Sequence, residues 1–159
     1  MVFNLFTWLE STGLSKSINE SLYAFAYIET VHLLALAVLG GATLLVDLRM
    51  LGLGLREQRV TDLARIAKPW LDWSLFLVLL TGFLLFLSLA ASKYYVHFYF
   101  WVKMYFLAAA IVFTYTYRQW VINGGEEKAN SGAGRLAGAM SAFLWAGVAF
   151  AGKAIGYIS

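Results

Sequence analysis

SLYAFAYIETVHLLALAVLGGATLLVDLRMLG, residues 21–52, is the stretch of sequence that decides the fold of this chain. It stays apolar for longer than the roughly 20 residues that a helix needs to cross the hydrocarbon core of a bilayer. Two ionisable residues, Glu29 and His32, nevertheless lie inside it, three positions apart and therefore on one helical face. Because an unpaired charge at that depth costs about 3 kcal/mol on insertion scales, such residues indicate a functional site.

The composition extends this interpretation to the whole chain. Hydrophobic residues make up 61% and charged residues 13% of the sequence, whereas soluble domains are roughly half apolar and about a quarter charged. A length of 159 residues leaves room for one integral membrane domain and no separate soluble domain. We predict an all-α, four-transmembrane-helix bundle with spans at about residues 22–48, 70–91, 94–120 and 136–158. The absence of cysteine excludes disulfides, thiolate metal sites and covalently attached haem.

Three segments outside these spans carry weaker signals. Residues 2–10 place aromatic and aliphatic side chains on one side at helical spacing, which predicts a short N-terminal helix lying in the membrane interface. Residues 61–68 predict a short surface helix that Pro69 ends, because proline disfavours the helical conformation in the residue before it. Residues 118–135 are hydrophilic and rich in glycine, so we expect them to form a loop.

Lysine and arginine predict the orientation of the bundle. Residues 49–68 and 118–135 hold eight of the twelve basic residues, and loops rich in these residues stay in the cytoplasm. Both termini are then periplasmic in a bacterial inner membrane, and the net charge of +3 is a topology signal rather than a nucleic-acid-binding patch. At the cytoplasmic boundary, we expect Asp47 and Arg49 to pair with each other or with Lys68.

The remaining ionisable residues gather in the outer half of the predicted bundle. At a rise of about 1.5 Å per residue, Glu29 lies roughly 10 Å below the outer boundary, His32 about 15 Å and Lys103 about 13 Å. His97 lies about 5 Å below it, and Lys153 within roughly 6 Å. Five ionisable groups at similar depths indicate a common site.

A b-type haem between the helices accounts for this site. Haem requires an axial imidazole, an apolar slot and cations near its propionates. His32 supplies the imidazole, His97, Lys103 or Met104 the second ligand, and Lys153 the cation. We therefore predict an electron-transfer protein, acting as a membrane oxidoreductase or as a subunit of one. Small residues predicted to make room for the porphyrin are Ala35, Gly40, Gly41 and Gly147.

Two alternatives remain open from the sequence. Glu29 and Lys103 are at nearly equal depth, so they could form a buried ion pair hydrogen-bonded to His32, in a cofactor-free transporter or membrane subunit. The Glu29-x-x-His32 spacing is also half of the metal site of carboxylate bundles, and copper would accept His32, His97 and Met104 as ligands. In each case the apolar outer faces predict lipid contact and either homo-oligomers or a respiratory-chain partner, with no nucleic acid.

Several motifs along the chain occur together. The most specific is Glu29-Thr-x-His32 followed by Asp47-Leu-Arg-x-Leu-Gly, and it is accompanied by INES at residues 18–21 and AGKAIGY at residues 151–157. With Pro69, Gly82, Lys103 and Trp145 as further matches, the chain resembles an uncharacterised family of small bacterial four-span membrane proteins.

The resemblance implies a four-helix fold with a site built on Glu29, His32, Lys103 and Lys153. Its similarity to small membrane b-type cytochromes and to copper-resistance membrane proteins is one of architecture alone. His97 stands where the resemblance implies a polar Asn-Pro pair, so the resemblance favours His32 and Lys103 over His97. Lys153 stands where such proteins often carry arginine, which keeps the positive charge but loses the bidentate fork.

Overall fold

A computed structural model describes residues 11–13, 21–88 and 98–158, and all regular structure in these ranges is helical. Four helical stretches are long and apolar enough to cross a membrane, so the chain is a multi-pass membrane protein and the predicted all-α four-span fold is confirmed. The predicted interfacial helix at residues 2–10 lies outside the described residues. The four stretches are Tyr23–Met50, Val60–Leu87, Phe98–Asn123 and Gly132–Ile155.

Helix α1, Leu22–Met50, is bounded by two local capping arrangements. The Ser21 hydroxyl accepts a hydrogen bond from a backbone N–H of the first turn at 3.3 Å. At the other end Gly52 adopts a φ of +76°, a left-handed conformation that glycine adopts at no steric cost. This allows the N–H of Leu53 to bond the carbonyl of Leu48 at 2.9 Å, which satisfies a carbonyl that the helix leaves free.

Helix α2, Val60–Ser88, runs without interruption through Pro69. The prediction of a separate surface helix at residues 61–68 was therefore wrong, and the second span begins ten residues earlier than predicted. Proline removes one backbone hydrogen bond and frees the carbonyl four residues before it, here that of Arg65. Arg65 is exposed, and membrane helices tolerate proline where the freed carbonyl finds another partner.

The third span is a composite of three segments: α3 (Phe98–Phe113), a π-helical turn (Thr114–Arg118) and α4 (Gln119–Asn123). A π turn widens the helix by one residue and is often found at functional sites. The prediction that a loop begins at Arg118 was wrong, because Arg118 is buried inside this span with 4% of its surface exposed. A short helix, α5 (Glu126–Ala129), then leads into α6 (Gly132–Ile158).

The helices pack in a definite order. Helix α1 lies against both α2 and α6, and α3 lies against α6, whereas α2 and α3 lack extensive backbone contact in the described part of the chain. Gly138 lets α1 and α6 approach closely, because a Cβ at this position would lie 2.8 Å from the Asp47 carbonyl oxygen. The result is a groove between α2 and α3.

One end of the bundle carries the connections at residues 51–59 and 124–131, and we call it the loop end. There the Arg49 guanidinium donates to the Gln58 carbonyl at 2.6 Å and to Asn130 Oδ1 at 2.9 Å. It also pairs with Glu126 at 3.5 Å. Because Arg49 has these partners, the predicted pairing of Arg49 with Asp47 was wrong.

Candidate functional site

An apolar cavity of about 610 Å³ opens into the groove between α2 and α3, toward the end opposite the loop end. All four spans contribute to it, and its volume lies within the range of about 300–1,000 Å³ that is usual for small-molecule sites. Its polar side chains include a histidine and a lysine, as the sequence predicted for a common site. The cavity is lined by His32, Leu36, Val78, Leu79, Gly82, Phe83, Leu85, Phe86, Phe100, Trp101, Lys103, Met104, Leu107, Trp145, Val148, Gly152 and Ile155.

His32 is buried on α1 and fixed by a hydrogen bond to α2. Its Nδ1 lies 2.8 Å from Thr81 Oγ1, and the Thr81 hydroxyl donates its only proton to the Leu77 carbonyl at 2.5 Å. Thr81 must therefore accept a proton from Nδ1–H. This assigns the ring proton to Nδ1 and leaves the Nε2 lone pair free on a residue that lines the cavity.

Gly82, the residue after Thr81, makes room for the imidazole. A Cβ at this position would lie 3.2 Å from Cε1 of His32, which is tighter than ordinary van der Waals contact. The ring of His32 thus packs directly on the backbone of α2, and contacts with α2 determine both the orientation of the ring and its tautomer.

Of the four small residues predicted to make room for a porphyrin, Gly40 and Gly41 have open space around them and Gly147 packs against the Phe106 ring. The fourth, Ala35, is in the core.

Lys103 enters the cavity from α3. Its Nζ would lie 3.7 Å from a Cβ placed on Gly152, so the missing side chain of that residue on α6 provides the space for the ammonium. Among the described residues, no carboxylate pairs with Lys103. The cavity therefore presents a cation on an apolar wall.

Two other predicted site residues, Glu29 and Lys153, do not line the cavity. Glu29 is exposed on α1, and the ion pairs between described residues do not include it. Lys153 is also exposed and is not among the cavity-lining residues, although its neighbour Gly152 is. Met104 lines the cavity beside Lys103. His97 lies outside the described residues. No three histidine, aspartate or glutamate side chains within those residues gather as a potential metal site.

A second polar cluster lies in the core nearer the loop end. The Arg118 Nε atom donates to Asp47 Oδ1 at 2.9 Å, and 4% and 0% of the two side chains are exposed. This pair corrects the expectation that Asp47 would bond Arg49 or Lys68. Thr43 and Ser141 are buried beside it, with 2% and 1% of their surfaces exposed. We call these four residues the inner cluster.

The sequence did not identify the inner cluster because its members come from three spans. Thr43 and Asp47 are one turn apart on α1, Ser141 is on α6, and Arg118 is in the π turn. The sequence signal that could have found Arg118 is the apolar run WVI, residues 120–122, that follows it. The charged tract that follows residue 123 is the true loop.

Between the inner cluster and the surface lies a second cavity of about 290 Å³, also in the groove between α2 and α3. Its wall includes Arg118, Lys68, Asp72 and Tyr115. Lys68 pairs with Asp72 at 2.6 Å, and the Tyr115 hydroxyl donates to the same carboxylate at 2.6 Å. We call this space the inner cavity and the larger one the outer cavity.

The chain was compared with known proteins in three ways. Residues 5–158 match the profile of a family described as "Family of unknown function (DUF6644)". The chain belongs to the DUF6644 family. This confirms the expectation of an uncharacterised family, and the match to DUF6644 includes every residue of both cavities and of the inner cluster. No curated protein and no solved structure matches the chain.

Proposed function

We propose that this protein binds a b-type haem in the outer cavity and transfers electrons through it, with His32 as an axial ligand. The observation that carries the proposal is the hydrogen bond from His32 Nδ1–H to Thr81. Metal-ligating histidines almost always donate their other ring N–H to a fixed acceptor, which orients the ring and increases its basicity. The contacts of His32 with Thr81 have this arrangement.

The rest of the cavity fits the same group. A haem offers a broad apolar face and anionic propionates, and this cavity offers apolar and aromatic walls with one cation, Lys103. We assign Lys103 to a propionate, because a lysine on the wall of the cavity would donate charge-assisted hydrogen bonds to a carboxylate. The thioether of Met104, which also lines the cavity, has lone pairs and would serve as a second ligand to the iron. This differs from the sequence-based expectation that Lys153 holds the propionate.

When bound, the haem supplies reversible one-electron chemistry at its iron. The chain's own residues orient the group and exclude water from it. His32 is held by Thr81 and by the space over Gly82, and the ring of Phe86 stacks on that of Phe100 with centroids 5.3 Å apart. This stack joins α2 to α3 across the groove and shields the cavity.

We also propose the orientation predicted from the basic residues. The loop end carries Arg49, Arg56, Arg59 and Lys128, among others, and it would face the cytoplasm of a bacterium. The outer cavity would then lie toward the periplasm. The redox partner, whether a second copy or a respiratory-chain protein, would approach from that side.

The experiment is an absorption spectrum of the protein purified in detergent, oxidised in air and then reduced with dithionite. We expect a Soret band with sharp α and β bands on reduction, and we expect His32→Ala to abolish them while the protein still inserts. The matched control is Leu33→Ala, because Leu33 is the next residue along α1 and is 59% exposed.

Each result has a defined meaning. Retention of the full spectrum in His32→Ala would overturn the assignment of the ligand. A colourless wild-type protein, even after supplementation with haem, would overturn haem binding. Metal analysis would then test copper, and a metal-free protein would favour the cofactor-free transporter.

A further inference from the structure

Four buried polar atoms of the inner cluster have no hydrogen-bond partner among the residues that the structure describes. They are Thr43 Oγ1, Asp47 Oδ2, Arg118 Nη2 and Ser141 Oγ. The Ser141 hydroxyl faces the Asp47 carboxylate without reaching hydrogen-bond geometry. Since buried polar groups are nearly always satisfied, four such atoms in one place require a ligand.

The charges of the cluster define the chemistry of that ligand. A cation would be repelled by the Arg118 guanidinium, and an anion by the Asp47 carboxylate, which are already paired with each other at 2.9 Å. The unsatisfied atoms include a donor, an acceptor and two hydroxyls that can do either. A small neutral molecule that both donates and accepts hydrogen bonds meets all four, and water is that molecule.

The inner cavity provides the route by which water arrives. Arg118, a member of the inner cluster, lines this cavity. Val46, the residue before Asp47, lines it as well. The same cavity is lined by Gln119 and Asn123, near the loop end. The cavity therefore leads from the loop end to Arg118, whose guanidinium is paired with the buried carboxylate of Asp47.

We propose that the inner cavity is a hydrated chamber and that its water reaches past Arg118 into the inner cluster, where it bridges Asp47, Arg118, Thr43 and Ser141. The chamber keeps a buried carboxylate in contact with the aqueous phase at the loop end, so Asp47 can exchange protons with that phase. This site does not depend on haem in the outer cavity.

The first test measures whether removal of a buried hydroxyl raises or lowers the stability of the protein. If the core is dry, removing an unsatisfied hydroxyl removes a desolvation penalty and stabilises the protein. If the hydroxyl binds water, removing it breaks a hydrogen bond and leaves the water with fewer partners, which destabilises the protein. We expect Thr43→Val and Ser141→Ala each to lower the midpoint of unfolding in mixed micelles of sodium dodecyl sulfate. Higher midpoints for both variants would overturn the chamber.

The second test detects water directly and does not depend on stability. Because the chain has no cysteine, one introduced thiol is a unique reporter. Ala67 lines the inner cavity and is 7% exposed, whereas Ala35, 5% exposed, lines neither cavity, and each belongs to one of the apolar core clusters. A thiol reacts as the thiolate, so we expect Ala67→Cys to react with a charged methanethiosulfonate at least about ten-fold faster than Ala35→Cys.

The outcomes of the labelling test are distinct from those for haem. Equal, slow labelling at both positions would overturn the chamber, whatever the absorption spectrum shows. In sealed vesicles of known orientation, labelling from one side only also reports which face of the membrane the loop end occupies.

Discussion

At the scale of the residue, the tautomer of His32 depends on a single hydroxyl. Thr81 accepts from Nδ1–H because its own proton is committed to the carbonyl of Leu77. The proposed role of His32 as a ligand therefore depends on a residue 49 positions away in the sequence. Sequence reasoning selected His32 from its depth in a span, but it could not select Thr81, since threonine is common in membrane helices and only the packing of α1 on α2 distinguishes this one.

The corresponding prediction concerns Thr81→Val, which keeps the shape of the side chain and removes the acceptor. Loss of such a partner typically weakens metal binding by about 10–100-fold, so we expect a similar loss of haem affinity, measured by titration of the apoprotein with haemin. Thr81→Ser keeps the hydroxyl and is the control. Equal affinity in the valine variant and the wild type would contradict the role of Thr81.

At the scale of the element, close helix approach depends on where glycine lies rather than on how many glycines a helix contains. Gly138 on α6 faces the backbone of α1, with the Asp47 carbonyl 2.8 Å from the position of its absent Cβ, whereas Gly41 on α1 has no atom within 4 Å. The two glycines look alike in the sequence, because both occur in apolar helices rich in small residues.

We expect Gly138→Ala to force α1 and α6 apart and to destabilise the protein by about 1–3 kcal/mol, the usual cost of overpacking a close contact. Gly41→Ala is the matched control and should change the free energy of unfolding little. Chemical unfolding in mixed micelles measures both. Equal stability of the two variants would mean that α1 and α6 are not in close contact at this point.

Two elements were mispredicted for physical reasons. The start of α2 was missed because Pro69 was taken as a helix end, although a proline inside a helix frees only one carbonyl. The end of the third span was missed because Arg118 was taken as a loop residue, although Asp47 neutralises it in the core. Local sequence rules describe neither a partner on another helix nor the π turn that aims Arg118 at it.

At the scale of the whole molecule, the carboxylate of Glu126 connects the helices that meet at the loop end. Its two oxygens accept hydrogen bonds from the N–H groups of Val60 and Thr61 at 3.0 and 3.1 Å, which caps the start of α2. Asn130 and Arg49 bind the same carboxylate. One side chain therefore holds α1, α2 and α5 together.

Glu126→Gln is expected to lower the free energy of unfolding at neutral pH by about 1 kcal/mol, as for loss of a helix cap. Partial burial opposes ionisation, but the hydrogen bonds from Val60, Thr61 and Asn130 outweigh it and lower the pKa of Glu126 below its ordinary value of 4.5. A lowered pKa stabilises the fold above the ordinary value, and this contribution is lost as the pH falls through the folded value.

The difference in stability between wild type and Glu126→Gln should therefore be full above pH 4.5 and shrink at lower pH. The measurement is a series of unfolding midpoints from pH 7 down to pH 3. Glu127→Gln, which changes an exposed neighbour, is the control and should show no such trend. A constant difference across the series would contradict this role of the carboxylate.

A hydrogen bond connects a residue of one cavity with a residue of the other: Trp145 Nε1 donates to Thr114 Oγ1 at 3.3 Å. Trp145 lines the outer cavity and Thr114 the inner one. With water on the Thr114 side, the aqueous phase reaches into the bundle, and the transmembrane voltage falls mainly across the dry remainder. Moving one elementary charge across a potential of 100 mV changes its free energy by about 2.3 kcal/mol. Most of the transmembrane voltage would therefore fall along the short path of an electron through the outer cavity. The membrane potential would then influence the rate of electron transfer.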